Sequence, residues 1–118
     1  MATFRLSRLA RADLARILAT SGERWGTEGG RRYAAMIAIA MRQVASDPNG
    51  AATRNSSDIL RGVHSFHIRH AHSDDLAPKV KKPPHVLYYR AIRPGLIEIV
   101  RVLHERMLLL WFIADLTP

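Results

Sequence analysis

The chain has 118 residues, with 18 Lys and Arg against 10 Asp and Glu, and therefore a net charge of +8 and an isoelectric point near 11.0. A chain of this length buries one ordinary hydrophobic core, which excludes a two-domain enzyme and predicts a single domain with a compact core over residues 3–107. Because cysteine is absent, the composition also excludes disulfides, a thiolate nucleophile and zinc–thiolate or iron–sulfur sites.

The sequence of the first half of the chain predicts one strand and two helices. Residues 3–6 alternate between apolar and polar side chains, which predicts a short strand, and Ser7 can cap the helix that follows. Residues 9–25 carry an apolar stripe at helical spacing, and a second stripe runs from Tyr33 to Val44. Because the link at residues 26–29 is short, the two helices are expected to form an antiparallel hairpin.

The sequence of the second half predicts three strands. Residues 63–70, 85–90 and 96–103 are rich in β-branched and aromatic side chains and are bounded by glycine and proline. Residues 73–84 hold two charge blocks and several prolines, so an exposed excursion is expected there. The predicted fold is α+β: an N-terminal strand and an antiparallel two-helix hairpin packed on a small antiparallel sheet.

The arginine content points to an acidic partner. Of the 18 basic residues, 15 are arginine, whose planar guanidinium pairs with carboxylates and phosphates alike. The first residues offer no uninterrupted apolar run, and the longest such run, residues 107–114, is much shorter than the ~20 residues that a spanning helix needs. We therefore expect no membrane association and a cytoplasmic location.

Four histidines lie close together in the sequence and raise the question of a metal site. Neighbouring side chains on a strand face opposite ways, so His67 is expected to point away from the others, and no cysteine or nearby carboxylate completes a ligand set. We therefore expect strand histidines without a metal, and no cofactor. The four are His64, His67, His70 and His72.

A nuclease needs groups for proton transfer and cations for the charge on phosphorus. Here His104 or Glu105 could transfer protons. Arg69 and three further arginines, which are Arg61, Arg90 and Arg106, could stabilise the charge. For Arg61 and Arg90, structural pairing or partner contact is a sufficient alternative explanation.

The lysines are confined to one basic stretch beside Arg69. Lys79, Lys81 and Lys82 could contact a phosphate backbone or an acidic protein surface. A solvated loop that protects the sheet edge from aggregation is the alternative.

Several strings, in order, are similar to one family. They are Phe4-Arg5-Leu6-Ser7, Ala12-Asp13-Leu14 with Ile17, Arg24-Trp25-Gly26, and the strand strings at residues 60–66, 85–90 and 97–107. With these residues the chain resembles the ParE toxins of the ParE/RelE superfamily of type II toxin–antitoxin systems. It departs from the family pattern in a longer segment at residues 73–84 and in an apolar ending at residues 108–118.

The resemblance implies a toxin held in a hetero-oligomer by an acidic, ParD-like antitoxin and, when free, an inhibitor of DNA gyrase. Such toxins act by binding, so no catalytic activity is expected. RelE-like relatives with the same fold cut messenger RNA on the ribosome, which makes a ribosome-dependent endoribonuclease the alternative.

Partner contact is also expected from the sheet itself. Strand residues 86–89 place apolar groups on both faces, whereas two helices cover only one. An amphipathic antitoxin segment, assisted by residues 108–118, is expected to cover the other face. The residues predicted to bind antitoxin or target are Arg61, Arg69, Lys79, Lys81, Lys82, Tyr89, Arg90, Arg101 and Arg106.

Overall fold

A computed structural model describes residues 2–57, 61–72 and 82–107 of the chain. In this part of the chain no helix is long and apolar enough to cross a membrane. The architecture is α+β, as predicted, and the elements in order are β1 (Thr3–Leu6), α1 (Arg8–Ser46), β2 (Thr53–Asn55), β3 (Val63–His67), a 3₁₀ turn (Ile68–His70), β4 (His85–Arg93) and β5 (Leu96–His104).

Helix α1 begins at a side-chain cap and is interrupted at one residue. The Ser7 hydroxyl accepts a hydrogen bond from the Ala10 N–H at 3.0 Å, which satisfies one of the unpaired donors of the first turn. At Gly26 the backbone takes φ 75° and ψ 176°, a conformation that is open essentially to glycine alone. The prediction of two separate helices joined by a link over residues 26–29 is wrong, because α1 is one element with a break at Gly26 and is helical again from residue 27.

The chain folds back at this break. The rings of Trp25 and Tyr33 lie 5.2 Å apart between centroids, whereas residues eight positions apart in a straight helix are separated by about 12 Å. A Cβ placed on Gly30 would lie 3.2 Å from the Cα of Gly22, so the absence of a side chain at residue 30 allows the backbones to approach. Residues 22–25 and 30–33, on the two sides of the break, consequently lie close together.

The five strands form one mixed sheet in the order β1-β5-β4-β3-β2. The prediction of an antiparallel sheet is wrong at one edge, where β1 pairs with β5 in parallel from Thr3 opposite Leu96 to Leu6 opposite Ile99. All other pairs are antiparallel. A parallel pair needs a long crossover, and α1 lies within the chain that connects these two strands.

Strand boundaries also differ from the prediction. β2 was not predicted, because its three residues carry no apolar alternation. The strand predicted over residues 63–70 ends at His67, because the His67 side chain accepts a hydrogen bond from the Arg69 N–H and starts the 3₁₀ turn. β4 continues to Arg93 and β5 to His104.

One face of the sheet packs on α1 and forms the core. Strand side chains on this face are Phe66, Leu87, Tyr89, Ile97, Ile99 and Val102, and they meet Tyr33, Met36, Ile37, Ala40 and Val44 of the helix. On the opposite face Val86 and Tyr88 are half-buried, while Val63 and Leu103 are buried. Apolar side chains therefore occupy both faces.

Candidate binding site at the basic end of the sheet

Histidine, arginine and lysine side chains gather at one end of the sheet. Because β3, β4 and β5 are antiparallel neighbours, the ends of β3 and β5 meet the beginning of β4, with His85 directly opposite His104. We call this region the basic end; it consists of His67, Arg69, His70, Lys82, His85, His104, Glu105 and Arg106. Arg69, Lys82 and Arg106 are exposed there.

A hydrogen bond joins His67 and Glu105 at the basic end. The Nδ1 atom of His67 accepts a hydrogen bond from the Arg69 backbone N–H at 3.1 Å, so the ring carries its proton on Nε2. That Nε2 atom lies 2.6 Å from the Glu105 carboxylate and donates to it. The hydrogen bond from His67 lowers the pKa of Glu105. Its carboxylate is consequently engaged within the protein.

His85 and His104 lie side by side, with ring centroids 5.6 Å apart. The Nδ1 atom of His85 is 2.7 Å from the Tyr33 hydroxyl, and the Nδ1 atom of His104 accepts from the Arg106 backbone N–H at 3.1 Å. Burial, followed by the neighbouring His104, lowers the pKa of His85 to about 4, and burial raises the pKa of Tyr33. His85 is therefore neutral at pH 7.

A cavity of about 440 Å³ lies between α1 and the basic end. Three of its lining residues carry guanidinium groups, namely Arg16, Arg24 and Arg106. The Arg24 guanidinium carbon lies 5.0 Å from the centroid of the Trp25 ring, in cation–π geometry. Apolar side chains form much of the wall; they are Ile17, Trp25, Pro84, Val102, Leu103 and Met107.

Behind this cavity lies a buried ion pair that sequence reasoning missed. Arg101 donates to Asp13 from Nε and Nη2, at 2.9 and 2.8 Å. Asp13 also accepts from the Val102 N–H at 3.0 Å and from Arg16 at 2.8 Å. The sequence carries one signal of this pair: Asp13 is an acidic residue on the apolar stripe of a helix, between Ala10 and Ile17.

Two of the predicted binding residues lie in the interior rather than on a surface. Tyr89 is fully buried and donates its hydroxyl hydrogen to the Pro48 carbonyl at 2.6 Å, while Arg101 is 3% exposed and pairs with Asp13. The strand pattern places Tyr89 inward, since it shares a face with Leu87. Arg101 lies opposite Tyr88 in the register and is buried in its pair with Asp13.

The remaining predicted residues divide between the two ends of the sheet. Arg69, Lys82, His104, Glu105 and Arg106 lie at the basic end. At the other end, Arg61 is exposed near Val63, which pairs with Arg90, and Arg90 is bound to Glu98 at 3.0 Å. Lys79 and Lys81 lie outside the described residues.

The residues that the nuclease hypothesis requires to lie together are divided between the two ends of the sheet. His85 and Arg90 are five positions apart on β4, or about 17 Å along the strand. His104, Glu105 and Arg106 are consequently brought together, whereas Arg61 and Arg90 are not near them. In the part of the chain that the structure describes, no group of three His, Asp or Glu side chains is arranged to hold a metal ion.

Comparisons with known proteins agree on one family. A family model described as the ParE toxin of type II toxin–antitoxin systems, parDE, matches residues 4–109. Toxin ParE1 of Caulobacter vibrioides is 31% identical over 108 residues, covering 91% of this chain and 93% of that protein. Toxin ParE1 of Mycobacterium tuberculosis H37Rv is 29% identical over 102 residues, covering 86% and 88%.

A solved structure has the same fold. It is titled a chromosomal ParDE TA system from P. aeruginosa, and the alignment has a TM-score of 0.64 at 20% identity. It covers 88% of this chain and 96% of the other.

Proposed function

Because the chain belongs to the ParE toxin family of type II toxin–antitoxin systems, we propose that a ParD-like antitoxin binds it and holds it inactive, and that the free chain inhibits DNA gyrase in the cytoplasm. Both curated relatives are named as ParE1 toxins, and the solved structure with the same fold is titled a ParDE system. These names support the pairing with an antitoxin. The proposal is one of inhibition by binding rather than by catalysis.

The observation that carries the antitoxin proposal is the charge at the basic end. Arg69, Lys82 and Arg106 are exposed, and within the described residues none of them forms an ion pair. Glu105, which lies among them, is bound to His67. An acidic segment supplies the missing negative charge, and such complementarity sets both the orientation and the rate of association.

The sheet face opposite α1 supplies an apolar contact for the same partner. Val86 and Tyr88 lie on this face beside the basic end and are half-buried, so further apolar area is available for burial. An amphipathic antitoxin segment with acidic residues on one side contacts both features at once. The complex is accordingly proposed to be a hetero-oligomer.

The antitoxin proposal is tested by charge reversal. We expect Arg69→Glu combined with Arg106→Glu to lower the affinity for an acidic, ParD-like antitoxin by at least about tenfold, because attraction becomes repulsion. Arg93→Glu is the matched control, since Arg93 is also exposed but lies at the other end of β4. Equal affinities for the double variant and the control would contradict the proposed surface.

The target is tested with the purified toxin in two assays. Gyrase inhibition predicts loss of DNA supercoiling by purified gyrase and intact messenger RNA in a cell-free translation reaction. Cleaved messenger RNA with normal supercoiling would overturn the gyrase proposal in favour of the ribosome-dependent endoribonuclease.

A further inference from the structure

The chemistry of the polar groups that line the cavity behind the basic end defines what it binds. Two imidazole rings, those of His85 and His104, line it together with three guanidinium groups. An imidazole nitrogen is a donor or an acceptor according to its tautomer, and the tautomer is set by the partner of the other nitrogen.

In His85 that partner is a hydroxyl. Tyr33 is fully buried, and its hydroxyl lies 2.7 Å from His85 Nδ1. If the hydroxyl donates to Nδ1, both groups are satisfied, whereas the reverse arrangement leaves a buried O–H without an acceptor. Nδ1 is therefore the acceptor, and the neutral ring carries its proton on Nε2.

In His104 the partner is a backbone N–H, which can only donate. The Arg106 N–H donates to Nδ1 at 3.1 Å, so neutral His104 also carries its proton on Nε2. The Nε2 atoms of His85 and His104 have no hydrogen-bond partner within the described residues, and no buried side-chain nitrogen or oxygen there is left unsatisfied. Both Nε2–H groups consequently reach open space.

The charge balance of the wall is positive. Asp13 is the single carboxylate among the described lining residues, and its oxygens already accept from Arg101, Arg16 and the Val102 N–H. Arg24 and Arg106 have no carboxylate partner in the described part of the chain. The guanidinium and imidazole groups available to a ligand are therefore donors, and their net charge favours an anion.

The apolar wall and the volume define the rest of the ligand. A cavity of about 440 Å³ is within the size range of small-molecule sites and is much larger than a phosphate ion needs. The wall includes Trp25, and the hydroxyl groups of Thr20 and Ser21 also line the cavity. A flat heteroaromatic ring with polar edges matches this wall, as bases do on aromatic side chains.

We propose that this cavity binds a nucleoside monophosphate, with its phosphate on the two imidazole N–H groups and on Arg24 and Arg106, and its base against the apolar wall. The site goes beyond the proposed toxin function and does not rest on it; Arg106 belongs both to this cavity and to the proposed antitoxin surface. Since both imidazoles present protons, they bind the anion and do not act as a base on the ligand.

The binding test compares a nucleotide with its two halves. In calorimetric titration of the full chain, adenosine 5′-monophosphate is expected to bind at least about tenfold more tightly than either adenosine or inorganic phosphate. Equal affinity for inorganic phosphate would overturn the assignment, because it would indicate a simple anion site. Absence of saturable binding by the folded chain would overturn it as well.

Variants locate the site. Arg24→Gln and Arg106→Gln are each expected to weaken nucleotide binding by about tenfold, because each removes a charged donor to the phosphate. Arg93→Gln, at the opposite end of the sheet, is expected to bind like the native chain. Circular dichroism verifies the fold of all three. Equal affinity of the three variants would overturn the placement.

The tautomers assigned to His85 and His104 are tested separately by NMR. Long-range ¹H–¹⁵N NMR of the imidazole rings at pH 7 is expected to show protonated Nε2 and unprotonated Nδ1 in His85 and His104, with both Nε2–H signals shifting on addition of adenosine 5′-monophosphate. The opposite tautomer in either ring, or signals that do not shift, would overturn the proposal.

Discussion

Asp13 and Arg101, 88 residues apart in the sequence, form a bidentate ion pair in the interior, with Asp13 2% and Arg101 3% exposed. The pair connects the first turns of α1 to β5, beyond the point where β1 ends at Leu6 opposite Ile99. The Val102 N–H donates to the same carboxylate, so a side chain of the helix continues the hydrogen bonding of the sheet edge. Asp13 therefore fixes the position of α1 relative to the sheet.

Replacing Asp13 by Asn is expected to lower the free energy of unfolding by about 3–5 kcal/mol, because the buried Arg101 guanidinium loses the carboxylate to which its Nε and Nη2 atoms donate. Arg16→Ala is the control, since Arg16 contacts the same carboxylate from an exposed position and is worth less than about 1 kcal/mol. Urea unfolding measures both. Similar losses in the two variants would show that the buried pair is not the important contact.

Gly26→Ala is expected to lower the free energy of unfolding by about 1–3 kcal/mol, because a Cβ is strained at φ 75° and ψ 176°. Gly22→Ala is the matched control: a Cβ there meets nothing within 4 Å, so the gain in helix propensity makes it neutral or stabilising by up to about 1 kcal/mol. Thermal melts of both variants and of the native chain measure the change in melting temperature. A melting temperature unchanged by Gly26→Ala would refute the strained turn.

The free energy of unfolding is expected to fall between about pH 6.5 and pH 4 because of His85. Burial lowers its folded pKa from 6.5 to about 4, so in this range the unfolded chain binds a proton that the folded chain does not. Stability from this group is full above pH 6.5. His85→Gln keeps an acceptor for Tyr33 and is expected to flatten the dependence.

Urea unfolding at several pH values measures the effect. The exposed His72 provides the control in His72→Gln. A pH dependence that is the same in the His85 variant and in the native chain would exclude His85 as its source.

Glu105 is expected to titrate at a higher pH when His67 is removed. The hydrogen bond from His67 holds the pKa of Glu105 below its ordinary 4.5, so its contribution to stability is full above pH 4.5 and is lost as the pH falls through the lower, folded value. NMR titration of the Glu105 carboxyl carbon in His67→Phe should show the pKa moving up toward 4.5. In His70→Phe, the comparison variant, it should stay where it is; movement in both would point to a general change of the basic end.

Patterned elements could be predicted from the sequence. Alternation identified β1, and β-branched and aromatic content identified β3, β4 and β5, while the helical stripes identified residues of α1 that face the sheet. The parallel pairing of β1 could not be predicted, because alternation identifies a strand and not its neighbour. β2 could not be predicted either, because it is a three-residue edge strand without apolar alternation. The position of the break at Gly26 was predicted correctly, but the break is one residue long and not the four residues expected.

The candidate site was predictable only in part, because it is assembled from distant segments. Arg69, Lys82 and Arg106 were identified by charge alone, which does not depend on their neighbours. Arg101 and Tyr89 were expected at a surface, and a single sequence does not show that Asp13 and the Pro48 carbonyl are their partners. Contacts over such separations follow from tertiary packing.

The pairing of the first strand with the last described strand also determines when this protein can acquire its structure. As the nascent chain is synthesised, Ser7 emerges 93 residues before Val100, whose carbonyl accepts a hydrogen bond from the Ser7 hydroxyl. β1 remains an unpaired edge and Asp13 lacks Arg101 as a partner throughout that interval. Translation that stops before β5 therefore leaves a polypeptide that cannot close its sheet.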